Sequence, residues 1–194
     1  MQRLELYRRR AADFIERFRS DAALRESNAK LAAEKKATAR YYEAGLKVLQ
    51  AQSLTEALDI MISGSIDLLG ADMGIIQLLD SDGTLLRVAA QQGFTQDTLE
   101  SFFDLSCAKD TSRGRALHAG KPVVIEDVEL DEAYAPFRSV ARNAGYRALI
   151  SAPLVGRHGV VQGIMMLHYR SPHRPSDTDL EHLELYRRRG GDFI

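Results

Sequence analysis

The sequence predicts an α+β domain, an antiparallel sheet with helices on both faces, preceded by a long N-terminal helix. Three observations predict it. Between residues 4 and 49 the chain has no proline and one glycine, Gly45, and is rich in Ala, Glu, Lys, Arg and Leu, which is the composition of an uninterrupted helix. Two pairs of short strand-like runs then close on glycine turns: residues 75–79 and 85–89 around Asp80-Ser81-Asp82-Gly83, and residues 147–154 and 160–169 around Gly156-Arg157-His158-Gly159. The last run is apolar on both parities, with Val161, Met165 and Leu167 against Ile164 and Met166, so helices must cover both sides of the sheet there.

The long helix begins with Leu4, Tyr7, Ala11, Phe14 and Phe18 at alternating spacings of three and four, the seam of a two-stranded coil or bundle. Asp21 and Arg25 interrupt that seam, after which Leu24, Asn28, Leu31, Thr38, Tyr42 and Leu49 resume a shifted register. A skip of this kind changes the supercoil locally. Asn28 suits a register-fixing polar position in a parallel dimer, or equally a solvated place on a single helix. Burial of the apolar stripe favours a homodimer. Residues 1–52 are therefore read as a helical, coiled-coil linker and residues 53–194 as the globular domain.

Ser53 answered by Glu56 is a helix start, and Leu54, Leu58, Met61, Ile62 and Ile66 share one face of the helix that runs to about Leu69. Helices are also predicted at residues 95–103 and at 112–119, the latter stopped by Gly120, with a strand at 122–125. Residues 131–144 read as helical with a kink or break at Pro136. Ser176 with Asp179 opens the final helix at residue 177.

Composition narrows the function. The 194 residues hold one domain and an appendage rather than two cores, and 26 Lys and Arg balance 27 Asp and Glu, which leaves no net field to draw nucleic acid or a membrane surface. No run of 18 apolar residues occurs, and the charged first ten residues do not resemble a signal peptide, so a cytoplasmic location is expected. Cys107 is the single cysteine, which excludes an internal disulfide or a CxxC metal site. His118, His158, His168, His173 and His182 lie on different elements without metal-ligand spacing, and no cofactor is required. Five residues separate Gly114 from Gly120 where a phosphate-binding loop has four, and Pro122 stands where Ser or Thr would hold magnesium. No kinase ATP box, HExxH or GxSxG is present, so no enzymatic activity is expected.

Residues 4–15 read LELYRRRAADFI and residues 183–194 read LELYRRRGGDFI, ten identities in twelve. Either the chain is cut from a tandem array or the repeat is deliberate engineering. Because each Ala to Gly change costs a helix interior about 1 kcal/mol, the second copy is expected to fray or stop where the first continues.

The order of elements resembles the GAF family of sensory domains from about Ser53 onward. Particular strings carry the likeness: Gly114-Arg115-Ala116-Leu117-His118-Ala119-Gly120-Lys121-Pro122-Val123-Val124, the acidic turn from Asp127, and Ala148-Leu149-Ile150-Ser151-Ala152-Pro153-Leu154 followed by Gly163-Ile164-Met165-Met166. Pro172-His173-Arg174-Pro175-Ser176, and Ala23-Leu24-Arg25-Glu26-Ser27 in the long helix, are similar to GAF domains of bacterial two-component sensor histidine kinases. The resemblance implies a sheet of about six strands, a dimer formed through flanking helices, and a regulatory module that relays a small-ligand or conformational signal to an output domain of a parent protein. A structural dimerisation module without ligand is the alternative.

Individual family chemistries fit less well. Asn143 is followed by Ala144, so the Asn-Lys element of cyclic-nucleotide binders is missing. Cys107 is followed by Ala108 rather than the histidine usual at a bilin attachment site, which weighs against a tetrapyrrole photoreceptor. One thiol cannot run the disulfide cycle of the free-methionine sulfoxide reductases that share the fold. The pocket expected from this architecture takes Gln162, Met166 and His168 from the last strand, and Cys107, Arg113, His118, Tyr134, Phe137 and Tyr146 from the segments opposite. The competing reading makes Met166, Phe137 and Tyr146 plain core.

Overall fold

A computed structural model describes residues 2–83, 85–103 and 111–194. Its elements are α1 (Gln2–Gln50), α2 (Leu54–Leu69), β1 (Met73–Leu79), β2 (Leu86–Gln92), α3 (Gln96–Phe103), α4 (Ser112–Ala119), β3 (Val123–Ile125), a short 3-10 turn (Ala135–Phe137), α5 (Arg138–Ala144), β4 (Ala148–Val155), β5 (Val161–Tyr169) and α6 (Asp177–Phe193). The chain divides into two compact units, Met1–Arg40 and Tyr41–Ile194. The first is the bulk of α1, a continuous helix on which Phe18, Leu24 and Leu31 are at least half exposed and Asn28 is exposed. The side chains of Leu4, Tyr7, Ala11 and Phe14 lie outside the described residues.

In the second unit, capping chemistry fixes where helices begin and end. Ser53 Oγ accepts from the Glu56 amide at 3.2 Å, while Glu56 accepts from the Gln52 amide at 2.8 Å. Thr111 Oγ1 accepts from the Gly114 amide at 3.0 Å and starts α4. Ser176 and Asp179 cap one another's backbone at the head of α6. Gly70, Gly120 and Gly145 take the left-handed conformation that ends α2, α4 and α5. The expected helix over 131–144 is shortened, because Pro136 confines the first residues to turns and α5 starts only at Arg138.

Five antiparallel strands, in the order β2-β1-β5-β4-β3, form the sheet among the described residues, where the family resemblance implies about six. The β1–β2 turn closes through Gly83 N–H on Asp80 O and Leu85 N–H on Asp80 Oδ1. Both faces are covered, as the two-sided apolarity of β5 requires. Ile76, Ile150, Ala152, Met165 and Leu167 pack with α2 and α6. Met73, Ile75, Leu149, Ile164 and Met166 pack instead with Leu99 of α3, Ala116 of α4 and Ala141 of α5, together with Tyr134 and Tyr146.

The second copy of the repeat does not stop at its glycines: α6 runs through Gly190 and Gly191 to Phe193, which corrects the expectation of fraying. Leu183, Tyr186, Arg187, Gly190 and Gly191 form its buried face. A Cβ at residue 191 would stand 2.8 Å from the Val155 amide nitrogen and closer still to that residue's carbonyl. A Cβ at residue 190 would meet the tip of Met61. The two glycines bring α6 against β4, a close-packing role that outweighs their poor helix propensity.

Candidate ligand-binding site

The face of the sheet under α4 and α5 carries polar groups in an otherwise apolar layer. Strand parity places them. Met73, Ile75 and Gln77 of β1 pair with His168, Met166 and Ile164 of β5, and Leu149 and Ser151 of β4 pair with His168 and Met166 from the other side. All of these side chains therefore rise on one face. Arg113 comes down from the first turn of α4, which Thr111 has capped.

Arg113 is 3% exposed and donates from Nη1 to Gln77 Oε1 at 3.0 Å. Above it the hydroxyls of Tyr134 and Tyr146 lie 2.7 Å apart, and the Tyr134 and Phe137 rings meet edge to face at 5.8 Å. His168 is wholly buried, with the Tyr146 ring at 4.6 Å and the Phe94 ring at 5.0 Å, both edge-on. Ser151 Oγ is buried beside them without a hydrogen-bond partner.

Burial sets the electrostatics. It lowers the His168 pKa to about 3, helped by the positive charge of Arg113, so the imidazole is neutral. Burial likewise pushes both phenols above their usual range, Tyr146 most strongly, and the pair remains protonated. The cluster thus offers a cation, two hydroxyls, a neutral imidazole, an amide and a serine hydroxyl inside a dry layer, where each hydrogen bond counts for more than in water. Thr111, Ser112, Arg113, Tyr134, Phe137, Tyr146 and Met166 surround a cavity of about 10 Å³, room for one water molecule.

Tyr134 is positioned by the acidic turn after β3. Its amide donates to Asp131 Oδ1 at 2.9 Å, and Arg138 reaches back to the carbonyls of Val128 and Asp131. Arg147 holds Asp127 through two bonds, of 3.1 and 2.6 Å, and keeps that carboxyl below its usual pKa. Arg142 grips Glu129 in the same bidentate way.

Six of the residues expected at the pocket meet here: Arg113, Tyr134, Phe137, Tyr146, Met166 and His168. Two do not. His118 is exposed on the last turn of α4, five residues and well over a quarter-turn away from the face that carries Arg113. Gln162 shares the parity of His168 but lies six residues up β5, roughly 20 Å away at strand rise, with its amide against Gly156. Cys107 lies outside the described residues. Gln77 and Ser151 belong to the cluster and are absent from the sequence expectation. The signal that finds them is a polar residue at inward parity inside an apolar strand.

The helix, hairpin, α4–β3 crossover and closing hairpin around this cluster coincide with a known family: the sequence model described as "GAF domain" matches residues 51–186. The chain belongs to the GAF family. No curated protein matches it. Among solved structures, the GAF domain of an Acinetobacter phosphoenolpyruvate-protein phosphotransferase is similar at 18% identity and TM-score 0.66, over 81% of this chain and 92% of that one. A domain of a two-component sensor histidine kinase from Sinorhizobium meliloti 1021 is similar at 23% identity and TM-score 0.60, over 73% and 90%. The free methionine-R-sulfoxide reductase of Neisseria meningitidis, solved with its substrate, reaches TM-score 0.65 at 17% identity, over 81% and 89%. At these identities the three likenesses show the GAF fold. Among the described residues no group of His, Cys, Asp and Glu is placed to hold a metal, and no helix is long and apolar enough to cross a membrane.

Proposed function

We propose that this GAF domain is a cytoplasmic regulatory module, not an enzyme, that dimerises through its flanking helices and passes a small-ligand or conformational signal to an output domain such as a histidine kinase. The observation that carries the proposal is the buried cluster of Arg113, Gln77, Tyr134, Tyr146 and His168. Desolvating a guanidinium and this many polar atoms costs stability that an all-apolar layer would not lose, which favours a functional reason for the set. The similarity to a sensor-kinase domain supports the choice of output, and the exposed Phe18, Leu24 and Leu31 on α1 support a helical dimer.

The cavity of about 10 Å³ favours a second reading, a dimerisation module whose domain binds nothing. Native mass spectrometry of the purified chain separates the two. A dimer that carries extra mass, lost in the Arg113→Met variant, supports the sensor. A dimer without added mass selects the structural module, and a monomer overturns the helical-dimer mechanism altogether.

A further inference from the structure

Helix α6 rests on a seat made by β4 and α2. Leu183 and Tyr186 enter the apolar layer that holds Met61, Leu154 and Met165. Arg187 donates from Nη1 to Pro153 O at 3.2 Å and forks onto Glu184 through Nε and Nη2. These groups recur in the first copy of the repeat as Leu4, Glu5, Tyr7 and Arg8. Residues 4–15 therefore carry the same fastening side chains as the helix on the seat.

The two copies differ at two positions in twelve, and both positions lie on the buried face of α6. Where α6 has Gly190 and Gly191, the first copy has Ala11 and Ala12. Propensity alone favours the alanine copy as the better helix. The seat reverses that order. A Cβ at residue 191 would stand 2.8 Å from Val155 N and nearer to its carbonyl, and one at residue 190 would stand 2.8 Å from Met61 Sδ. The Met61 tip can swing aside, whereas Val155 opposes residue 191 with backbone, and that backbone is paired to Val161 of β5.

We propose that the glycine pair selects the occupant of this seat: α6 is admitted, and residues 4–15, offered by a second copy of the chain, are refused. Ala12 supplies most of the refusal and Ala11 adds to it. Overpacking of this kind disfavours the alanine copy roughly tenfold or more. In the dimer of the proposed function four near-identical segments come together, the circumstance in which chains exchange equivalent elements. Two missing methyl groups then keep each α6 on its own domain. The selection itself does not depend on that dimer.

Photocrosslinking of the full chain tests this. p-Azidophenylalanine replaces Tyr186 in one chain and its counterpart Tyr7 in another, and linked peptides are identified by mass spectrometry. The Tyr186 hydroxyl is buried and takes no hydrogen bond among the described residues, so the seat tolerates its loss. The chain is held at about 1 mM, where a segment in trans rivals one tethered in cis. Position 186 is expected to link to peptides of α2 or β4. Position 7 is expected to link to them at least about tenfold more in A11G/A12G, where the glycine pair stands in both copies, than in the parent. The A22G/A23G chain, whose glycines weaken α1 at exposed positions outside the repeat, should behave like the parent. Equal linkage from position 7 in the parent and A11G/A12G, no linkage in A11G/A12G, or a matching rise in A22G/A23G overturns the selection. Absence of linkage from position 186 overturns the seat itself.

Discussion

Replacing Gly191 by alanine sets two effects of opposite sign against each other. In an exposed helix interior the change stabilises by about 1 kcal/mol, because glycine loses more backbone entropy on folding and alanine is the better helix former. In α6 the added Cβ would lie 2.8 Å from Val155 N and nearer still to the carbonyl of that residue, against more than 3.4 Å for ordinary contact. Backbone cannot step aside as a side-chain tip can, so α6 must withdraw from β4 and loosen Leu183 and Tyr186, which are 1% and 5% exposed. Overpacking of this sort costs about 1–3 kcal/mol, so after the propensity gain a net loss of up to about 2 kcal/mol is expected. That corresponds to a fall in Tm of up to roughly 8 °C for a domain of this size. Thermal and urea unfolding followed by the near-ultraviolet signal of the tyrosines reads the change in the sheet domain. Gly190→Ala is the control, with a smaller loss expected because the new Cβ meets the flexible end of Met61. A Gly191→Ala variant more stable than its parent would refute the packing role.

The remaining expectations concern the buried cluster. The unfolded histidine titrates near 6.5 but folded His168 near 3, so as pH falls through 6.5 the unfolded chain binds a proton that the folded chain refuses. Stability is lost in that direction, by about 2 kcal/mol from this residue between pH 7 and 5; His168→Gln should lose correspondingly less in urea unfolding over this interval, and an unchanged pH profile would exclude the assignment. Arg113→Met strands the Gln77 carbonyl and should cost about 1–3 kcal/mol, with part regained in the Arg113→Met/Gln77→Leu double variant; strict additivity in that cycle would dissolve the pair. Tyr146→Phe removes one of the two bonded phenols and should cost about 1 kcal/mol by the same measurement, with no loss if the 2.7 Å contact contributes nothing.

Local rules carried much of this molecule from sequence to structure. Ser53 with Glu56 and Ser176 with Asp179 place helix starts because the capping bonds form within four residues, and the glycine turns place hairpins for the same reason. Parity along β5 was enough to pair Met166 with His168. It failed at Gln162, since parity records the face and not the distance along it. His118 failed on helical phase, which an eight-residue helix with two polar ends does not announce. Gly190 and Gly191 look like helix breakers in sequence. Their meaning depends on Val155 and Met61, residues far away in the chain, and only tertiary contact shows that the helix must come so close.

The same contact decides how the buried cluster stands to α6. Strand β4 touches both: Leu149 and Ser151 face the buried cluster, while the Pro153 carbonyl takes the Arg187 bond and Val155 lies under Gly191. Six residues of strand, roughly 20 Å, therefore join His168's neighbour to the seat of α6. β5 pairs with β4 along its whole length, while β3 pairs with it only at Leu149, Ile150 and Ser151. At Gly191 there is no room for even a methyl group, so a shift of β4 toward α6 by a few tenths of an ångström has to be passed to the helix. Under the proposed function, widening of the small cavity beneath Arg113 would displace α6 through β4. In Gly191→Ala the helix has already been driven off its seat, so a difference in α6 hydrogen exchange between parent and Arg113→Met should shrink in that background.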